Sequence, residues 1–314
     1  MSLPYFDDAA VRAAAGWTTA VEALAQALRD GTDPESDSPR IFAPAPGGEF
    51  LIMPAADRRY SGVKALTVAP GNPARGLEKI QGVYVLYDSD TLAPLAVLDG
   101  TELTAVRTPA TTLLAVTRLL AAAPDAAPER PHVLVFGAGV QALNHLRAAH
   151  ALIPGATFGV AGRTPERTRR LIETLAAEGV EVREQTADDV GTADVVLCAT
   201  TSATPLFDGA RVAPGAVVAA VGQHGLDARE VDAALVLRSD VVVEGRASAL
   251  REAGDLIPAR SAADWERIAP GNLRDLVLGQ VTRTPGKPCL YAGVGMAWED
   301  LVVAAVVYEG GNTS

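Results

Sequence analysis

The stretch Val133-Leu134-Val135-Phe136-Gly137-Ala138-Gly139-Val140-Gln141-Ala142 constrains the fold more than any other part of this chain. An apolar run, a GxGxxA turn and then a helical pattern read as buried strand, tight turn and helix. Gly137 permits the turn, Gly139 lets a backbone approach a pyrophosphate, and Ala142 permits close helix–sheet contact. The N–H groups from Gly137 through Ala138, Gly139 and Val140 to Gln141, with the helix dipole, would then hold phosphates. A glycine-rich turn that binds nothing is the alternative.

The surrounding rhythm supports an α/β reading. From His132 onward, apolar strands (His132–Phe136, Thr157–Ala161, Val180–Glu184, Val195–Ala199, Val217–Val221, Val241–Glu244) are spaced by helices at Val140–Leu152 and Pro165–Glu178. That alternation implies right-handed βαβ units and a parallel, Rossmann-like sheet. The first part differs. Helices are expected at Asp7–Ala14 and Trp17–Arg29, the second capped by Thr18 or Thr19, and Gly31–Pro39 reads as a polar loop. Strands are expected at Phe50–Pro54, Gly62–Val68, Gly82–Tyr87 and Leu95–Asp99, then a helix over Thr104–Leu120. Ala121–Pro131 is a Pro-punctuated linker, and the pattern reverts after about residue 285, with a helix over Met296–Tyr308. The expected organisation is a dinucleotide-binding domain at 121–285 and a discontinuous α+β domain built from 1–120 and 286–314.

Charge and composition exclude several classes. The net charge of −11 repels phosphate backbones, so no nucleic-acid partner is expected. Two cysteines, Cys198 and Cys289, and four histidines make a disulfide framework or zinc cluster improbable, and a reducing cytoplasm fits. The start is not a signal peptide, and the longest apolar runs are far too short to span a membrane.

The end of the second Rossmann strand bears on the cofactor. An NAD site would carry Asp or Glu there, whereas this chain has Gly162-Arg163-Thr164. Arg163, helped by Thr164, could hold a 2′-phosphate, which favours NADP(H). Glu166 nearby could touch ribose and keeps NAD(H) open, and Arg163 could also be plain surface charge.

Several segments, in order, then read together: Arg40, Gly62-Val63-Lys64, Asn72 with Gly76-Leu77, Leu98-Asp99-Gly100, Leu103–Thr108, the glycine turn, Val221-Gly222, Arg229–Asp232, Glu252–Asp255 and Val294–Leu301. From about Arg40 to Tyr308 the chain resembles the ornithine cyclodeaminase/mu-crystallin family. The resemblance implies a Rossmann-like domain plus a discontinuous substrate domain that usually forms a homodimer. It assigns Arg40, Lys64 and Arg107 to the substrate carboxylate, for which arginine offers a bidentate fork. Lys64, in an apolar strand where a lowered pKa would let it handle a proton, is also a candidate catalytic group. Surface or dimer-face ion pairs are the alternative for the two arginines. The resemblance further puts the cofactor beside Lys79, Thr200, Thr201 and Val294. Helix capping is the competing role for the threonines, and a plain loop charge for Lys79.

The chain departs from the family at one point. Ornithine cyclodeaminases carry an acid shortly after Val221-Gly222, where this chain has His224, with Asp227 three residues on. A histidine suits proton transfer rather than holding a cationic side-chain amine, although it could instead cap a helix starting near Asp227. The expected function is therefore NAD(P)H-dependent hydride transfer at C=N of a small imino or amino acid. Ornithine cyclodeaminase, and a dinucleotide-dependent ligand-binding protein without catalysis, are the alternatives.

Overall fold

The computed structural model describes residues 3–123 and 128–311. The element order is β1 (Tyr5–Phe6), α1 (Asp8–Ala14), α2 (Trp17–Arg29), β2 (Ile41–Ala45), β3 (Gly48–Ala56), β4 (Tyr60–Val68), β5 (Ile80–Asp88), β6 (Pro94–Asp99) and α3 (Gly100–Ala121). There follow β7 (His132–Phe136), α4 (Val140–Leu152), β8 (Thr157–Ala161), α5 (Pro165–Ala177), β9 (Val182–Glu184), β10 (Val195–Cys198), β11 (Val217–Ala220), α6 (Ala233–Arg238), β12 (Asp240–Val243) and α7 (Arg246–Glu252). The chain closes with α8 (Ala262–Ile268), β13 (Gly271–Asn272), α9 (Leu273–Val277), β14 (Cys289–Ala292) and α10 (Ala297–Gly311).

Two compact units result, one of Met1–Ala110 with Met296–Ser314 and one of Thr111–Gly295. The division falls inside α3 and after β14, whereas the sequence pattern suggested 120/121 and 285/286. Local bonding accounts for the shift in α3. Thr104 and Arg107 bond within the first unit, to Lys64 and Asp300, while Thr112 bonds within the second, to His145. Of the expected linker, residues 124–127 lie outside the described residues.

In the first unit a six-stranded sheet has the order β1-β6-β5-β4-β3-β2, antiparallel except for the β1–β6 pair. Alternation sends Leu51, Met53, Gly62, Lys64, Leu66, Tyr84, Leu86, Ala96 and Leu98 to one face, where they are buried. Helix α10 packs on that side against β3, β4 and β5, and α2 and α1 pack on α10. An apolar helix enclosed in this way has no need of a polar stripe, and the run from Leu301 to Val307 carries none. Helix α2 is capped by the backbone of Gly16; Thr18 and Thr19 lie inside its first turn, so neither is the cap.

The second unit holds an eight-stranded, all-parallel sheet in the order β13-β12-β14-β11-β10-β7-β8-β9. The chain moves from β7 through β8 to β9 on one side and from β10 onward on the other, so the topological switch lies between β7 and β10. Strands buried on both faces read as unbroken apolar runs, which is why β7, β10 and β11 were visible in the sequence. Strand β14 was not. Expected to belong to the first unit, it instead pairs between β11 and β12 in this sheet.

Candidate functional site

In the first unit, β4 carries Lys64 on the helix-covered face, flanked in register by Met53 of β3 and Tyr84 of β5. The lysine is fully buried. Its Nζ donates to Asp300 Oδ1 at 2.9 Å, lies 2.7 Å from Oδ2, and reaches Thr104 Oγ1 at 3.4 Å. Arg107 of α3, also buried, donates from Nε to the same Asp300 Oδ1 at 3.0 Å and from Nη1 to Glu299 Oε2 at 2.8 Å. Two cations and two carboxylates thus share one enclosed cluster, with both acids in the first turn of α10, whose dipole favours negative charge there. Asp37 binds the same helix start, accepting from the N–H groups of Ala297 and Trp298 at 3.1 and 3.0 Å.

Burial lowers the Lys64 pKa to about 8, the Arg107 charge adds to the fall, and Asp300 opposes it. Arg40 is half-buried, and its charge acts on both Lys64 and Asp37. The structure therefore brings Lys64 and Arg107 into one cluster and sets Arg40 within electrostatic reach of it. Sequence reasoning missed what they pair with. Glu299, Asp300 and Asp37 had no assigned role, although two consecutive acids opening an otherwise apolar helix are a signal that could have been used. Tyr84 was missed as well. Its ring lies so close over Gly62 that a Cβ there would come within 2.0 Å of the phenol oxygen. That buried hydroxyl has no hydrogen-bond partner among the described residues, and burial pushes its pKa well up.

In the second unit the glycine turn follows β7. Gly137 has φ of +121°, and a Cβ there would lie 2.6 Å from the carbonyl oxygen of Ala199, so only glycine fits without displacement. Gly139 caps α4 with no side-chain hydrogen bond, Gly139 and Val140 are exposed, and Ala142 is fully buried against the sheet. A helix start with no side-chain cap, at the carboxyl edge beside the switch point, fits the pyrophosphate of a dinucleotide. Arg163 and Thr164 are exposed just beyond β8.

The other residues expected at this edge are engaged differently. Thr200 caps no helix; its N–H and hydroxyl donate to Glu230 Oε1 at 2.7 and 2.8 Å, while Thr201 is exposed. Glu230 also accepts from Gly222 N through Oε2 at 2.6 Å, tying the loops after β10 and β11 together. Burial raises its pKa to about 7 against those hydrogen bonds. Glu244 likewise accepts from Val294 N and Gly295 N at 2.8 and 2.6 Å, fixing the loop after β14. His224 follows β11 with Nδ1 3.2 Å from Glu252 Oε2, and it caps no helix, since the next one, α6, is capped by Asp232. Lys79 is exposed and belongs to the first unit, ahead of β5.

Comparison with known proteins agrees with this architecture. Residues 9–313 match the family model described as the ornithine cyclodeaminase/mu-crystallin family. A Delta(1)-pyrroline-2-carboxylate/Delta(1)-piperideine-2-carboxylate reductase of Azospirillum brasilense is 36% identical over 303 residues, covering 95% of this chain and 93% of that protein. Ketimine reductase mu-crystallin of Mus musculus is 30% identical, covering 83% of this chain and 80% of that one. The structure of Thermococcus litoralis Delta(1)-pyrroline-2-carboxylate reductase with NADH and L-proline superposes with a TM-score of 0.84 at 24% identity, over 99% of this chain and 98% of that one, a likeness of fold. With a family match along nearly its whole length and relatives at this identity, the chain belongs to the ornithine cyclodeaminase/mu-crystallin family.

Proposed function

We propose that this chain is an oxidoreductase that reduces the C=N bond of a small cyclic α-imino acid with NAD(P)H. The observation that carries the reading is the buried cluster of Lys64 and Arg107 around Asp300 and Glu299. Charged groups rarely bury without a partner or a task, and here two donors point at shared acids in a dry, preorganised setting. The cluster is electrically balanced. That suits a ligand whose carboxylate is negative and whose protonated C=N is positive, the first taken by Lys64 and Arg107 and the second facing the acids. Arg40, at the rim, completes the carboxylate clamp. Both curated relatives bear names of imine reductases, which supports the same chemistry.

A bound nicotinamide cofactor supplies the hydride. Gly137–Gln141 would hold its pyrophosphate, with Thr200, Thr201, Val294 and Lys79 as further contacts; the hydroxyl of Thr200 is already given to Glu230, which leaves its methyl group for contact. Arg163 and Thr164 favour NADP(H) over NAD(H), because no acid stands at the end of β8 to receive a ribose diol. With a pKa of about 8, Lys64 can give and recover a proton near neutrality. His224, oriented by Glu252, is the second proton-handling group.

The chain is proposed to work as a cytoplasmic homodimer. Its two cysteines are buried and unpaired, as suits a reducing compartment. Among the described residues no helix is long and apolar enough to cross a membrane. The outer face of the first unit's sheet carries a register row of Ile41, Ile52, Ala65 and Val83, with Phe50 beside it. None of the five is buried, and such a patch calls for a cover.

The test is oxidation of NADPH and NADH with Δ1-pyrroline-2-carboxylate, Δ1-piperideine-2-carboxylate and, separately, ornithine. Turnover of the cyclic imines is the expected result. Release of ammonia and proline from ornithine without net cofactor turnover would favour a cyclodeaminase, and tight cofactor binding with no turnover a binding protein.

A further inference from the structure

We propose that Asp300 is a positioning residue that holds Lys64 and Arg107 as one cationic pair, aimed together at the substrate carboxylate. The inference rests on the reading of those two cations as the carboxylate clamp. Its geometry is specific. A single oxygen, Oδ1, receives both Lys64 Nζ at 2.9 Å and Arg107 Nε at 3.0 Å, and Oδ2 stands 2.7 Å from the lysine. Glu299, next along α10, reaches Arg107. Asp300 therefore joins a strand residue and a helix residue 43 positions apart in the chain.

Without that bridge, two like charges would be buried side by side, and the lysine is the one able to give up its charge. The groups around it show how much depends on Asp300. Met53 and Tyr84 flank Lys64 on β3 and β5, the phenol of Tyr84 being neutral. From α3 come Thr104 and Arg107, and from the segment just before β2 Arg40, whose positive charge also discourages a second cation. Asp37 is on the same side, but its carboxylate is bound to the N–H groups of Ala297 and Trp298 and its pKa is raised by burial. Among the groups that act on Lys64, Asp300 is the one that raises its pKa, against burial, Arg107 and Arg40. Losing the carboxylate's charge while keeping the amide's shape should leave Lys64 largely neutral at the pH where it is now charged, with Arg107 Nε facing a neutral acceptor instead of an anion.

The chain has three lysines, Lys64, Lys79 and Lys287, so 13Cε-lysine labelling gives three signals, assignable with Lys79→Arg and Lys287→Arg. In the wild type, Lys64 is expected to titrate at about 8. In Asp300→Asn its midpoint should fall by at least about one unit, and the KM for the cyclic imino acid should rise at least about tenfold, with the pH at which affinity fails moving down in step. If the Lys64 midpoint is unmoved in Asp300→Asn, the proposal is overturned. A midpoint that falls while KM stays constant would retain Asp300 as the partner of Lys64 and sink the clamp assignment instead. Should Asp300→Asn fail to fold, Asp300→Glu decides. The longer acid keeps Lys64 charged but cannot bridge both cations from the same backbone position, so KM should rise with little change in the midpoint. An unchanged KM in Asp300→Glu would overturn the positioning role.

Discussion

The interior of the second unit contains a titratable group whose behaviour can be worked out in advance. His145 of α4 is fully buried, its Nδ1 2.7 Å from Gln141 O and its Nε2 3.1 Å from Thr112 Oγ1. A carbonyl can only accept, so Nδ1 carries a proton; burial keeps the ring neutral at pH 7, and Nε2 then accepts from the threonine. Burial lowers its pKa from 6.5 to about 4, against the opposing effect of Gln141. The unfolded chain binds the proton first, so this contribution is fully present above about pH 6.5 and is lost as pH falls toward 4. Those two pKa values give a loss of about 0.2 kcal/mol at pH 7 and about 2 kcal/mol at pH 5. Glu230 works in the opposite sense. Its raised pKa, about 7, means the folded chain takes up the proton first, and acidification over the same interval stabilises by about 2 kcal/mol. Asp255, raised to about 6 by burial, adds to this in the same sense, so wild-type stability alone would hide the histidine's contribution. The comparison to make is wild type against His145→Gln, by urea unfolding at both pH values, because the packing cost of the substitution cancels in the double difference. The variant should be relieved of about 1.8 kcal/mol of acid sensitivity. NMR of the four histidines should show His145 neutral at pH 5. Parallel loss in the two proteins, or a His145 midpoint near 6.5, would refute the reasoning.

Other outcomes follow from the same geometry. Gly137→Ala forces a Cβ to 2.6 Å from Ala199 O at φ of +121°, and should cost about 3 kcal/mol of stability by thermal or urea unfolding while weakening dinucleotide binding at least about tenfold. Arg163→Ser should raise the KM for NADPH by about ten- to a hundredfold and leave that for NADH nearly unchanged; equal effects on both would remove Arg163 from the 2′-phosphate. Val83→Asp places a charge on the outer sheet face, where Val83 is 37% exposed. Analytical ultracentrifugation should then show dimers for the wild type and monomers for the variant, with far-UV circular dichroism unchanged.

How much of this was legible in the sequence depended on the range of the interactions concerned. Strands β7 and β8 and helix α4 have the bounds that apolar runs and the glycine turn suggested, because each is set by residues adjacent in the chain. Strand β14 is four residues long, and its neighbours β11 and β12 lie some fifty or more positions earlier, so nothing local marks it. Edge strands β1 and β2 went unseen for the same reason, whereas among the short helices α6 to α9, which were also missed, Asp232, Ser261 and Asn272 cap three with local side chains. At the site, the unusual residue was visible and its partner was not. Lys64 stood out as a charge in an apolar strand, whereas Asp300 acquires its meaning only when α10 folds back over that strand from 236 positions away. The Glu230–Thr200–Gly222 and Glu244–Val294 ties are likewise contacts between loops, with no pattern in the linear chain.

The central claim is that Arg107, with Lys64, grips the carboxylate of an imino acid that is then reduced. Arg107→Lys tests it most directly, because the charge opposite Glu299 and Asp300 is kept while the planar fork is lost. The measurement is kcat/KM for Δ1-pyrroline-2-carboxylate alongside the dissociation constant for the reduced cofactor, in wild type and variant. A fall of at least about thirtyfold in kcat/KM, about 2 kcal/mol, with cofactor affinity held within about twofold, is the predicted result. Undiminished kcat/KM in a folded variant would contradict it.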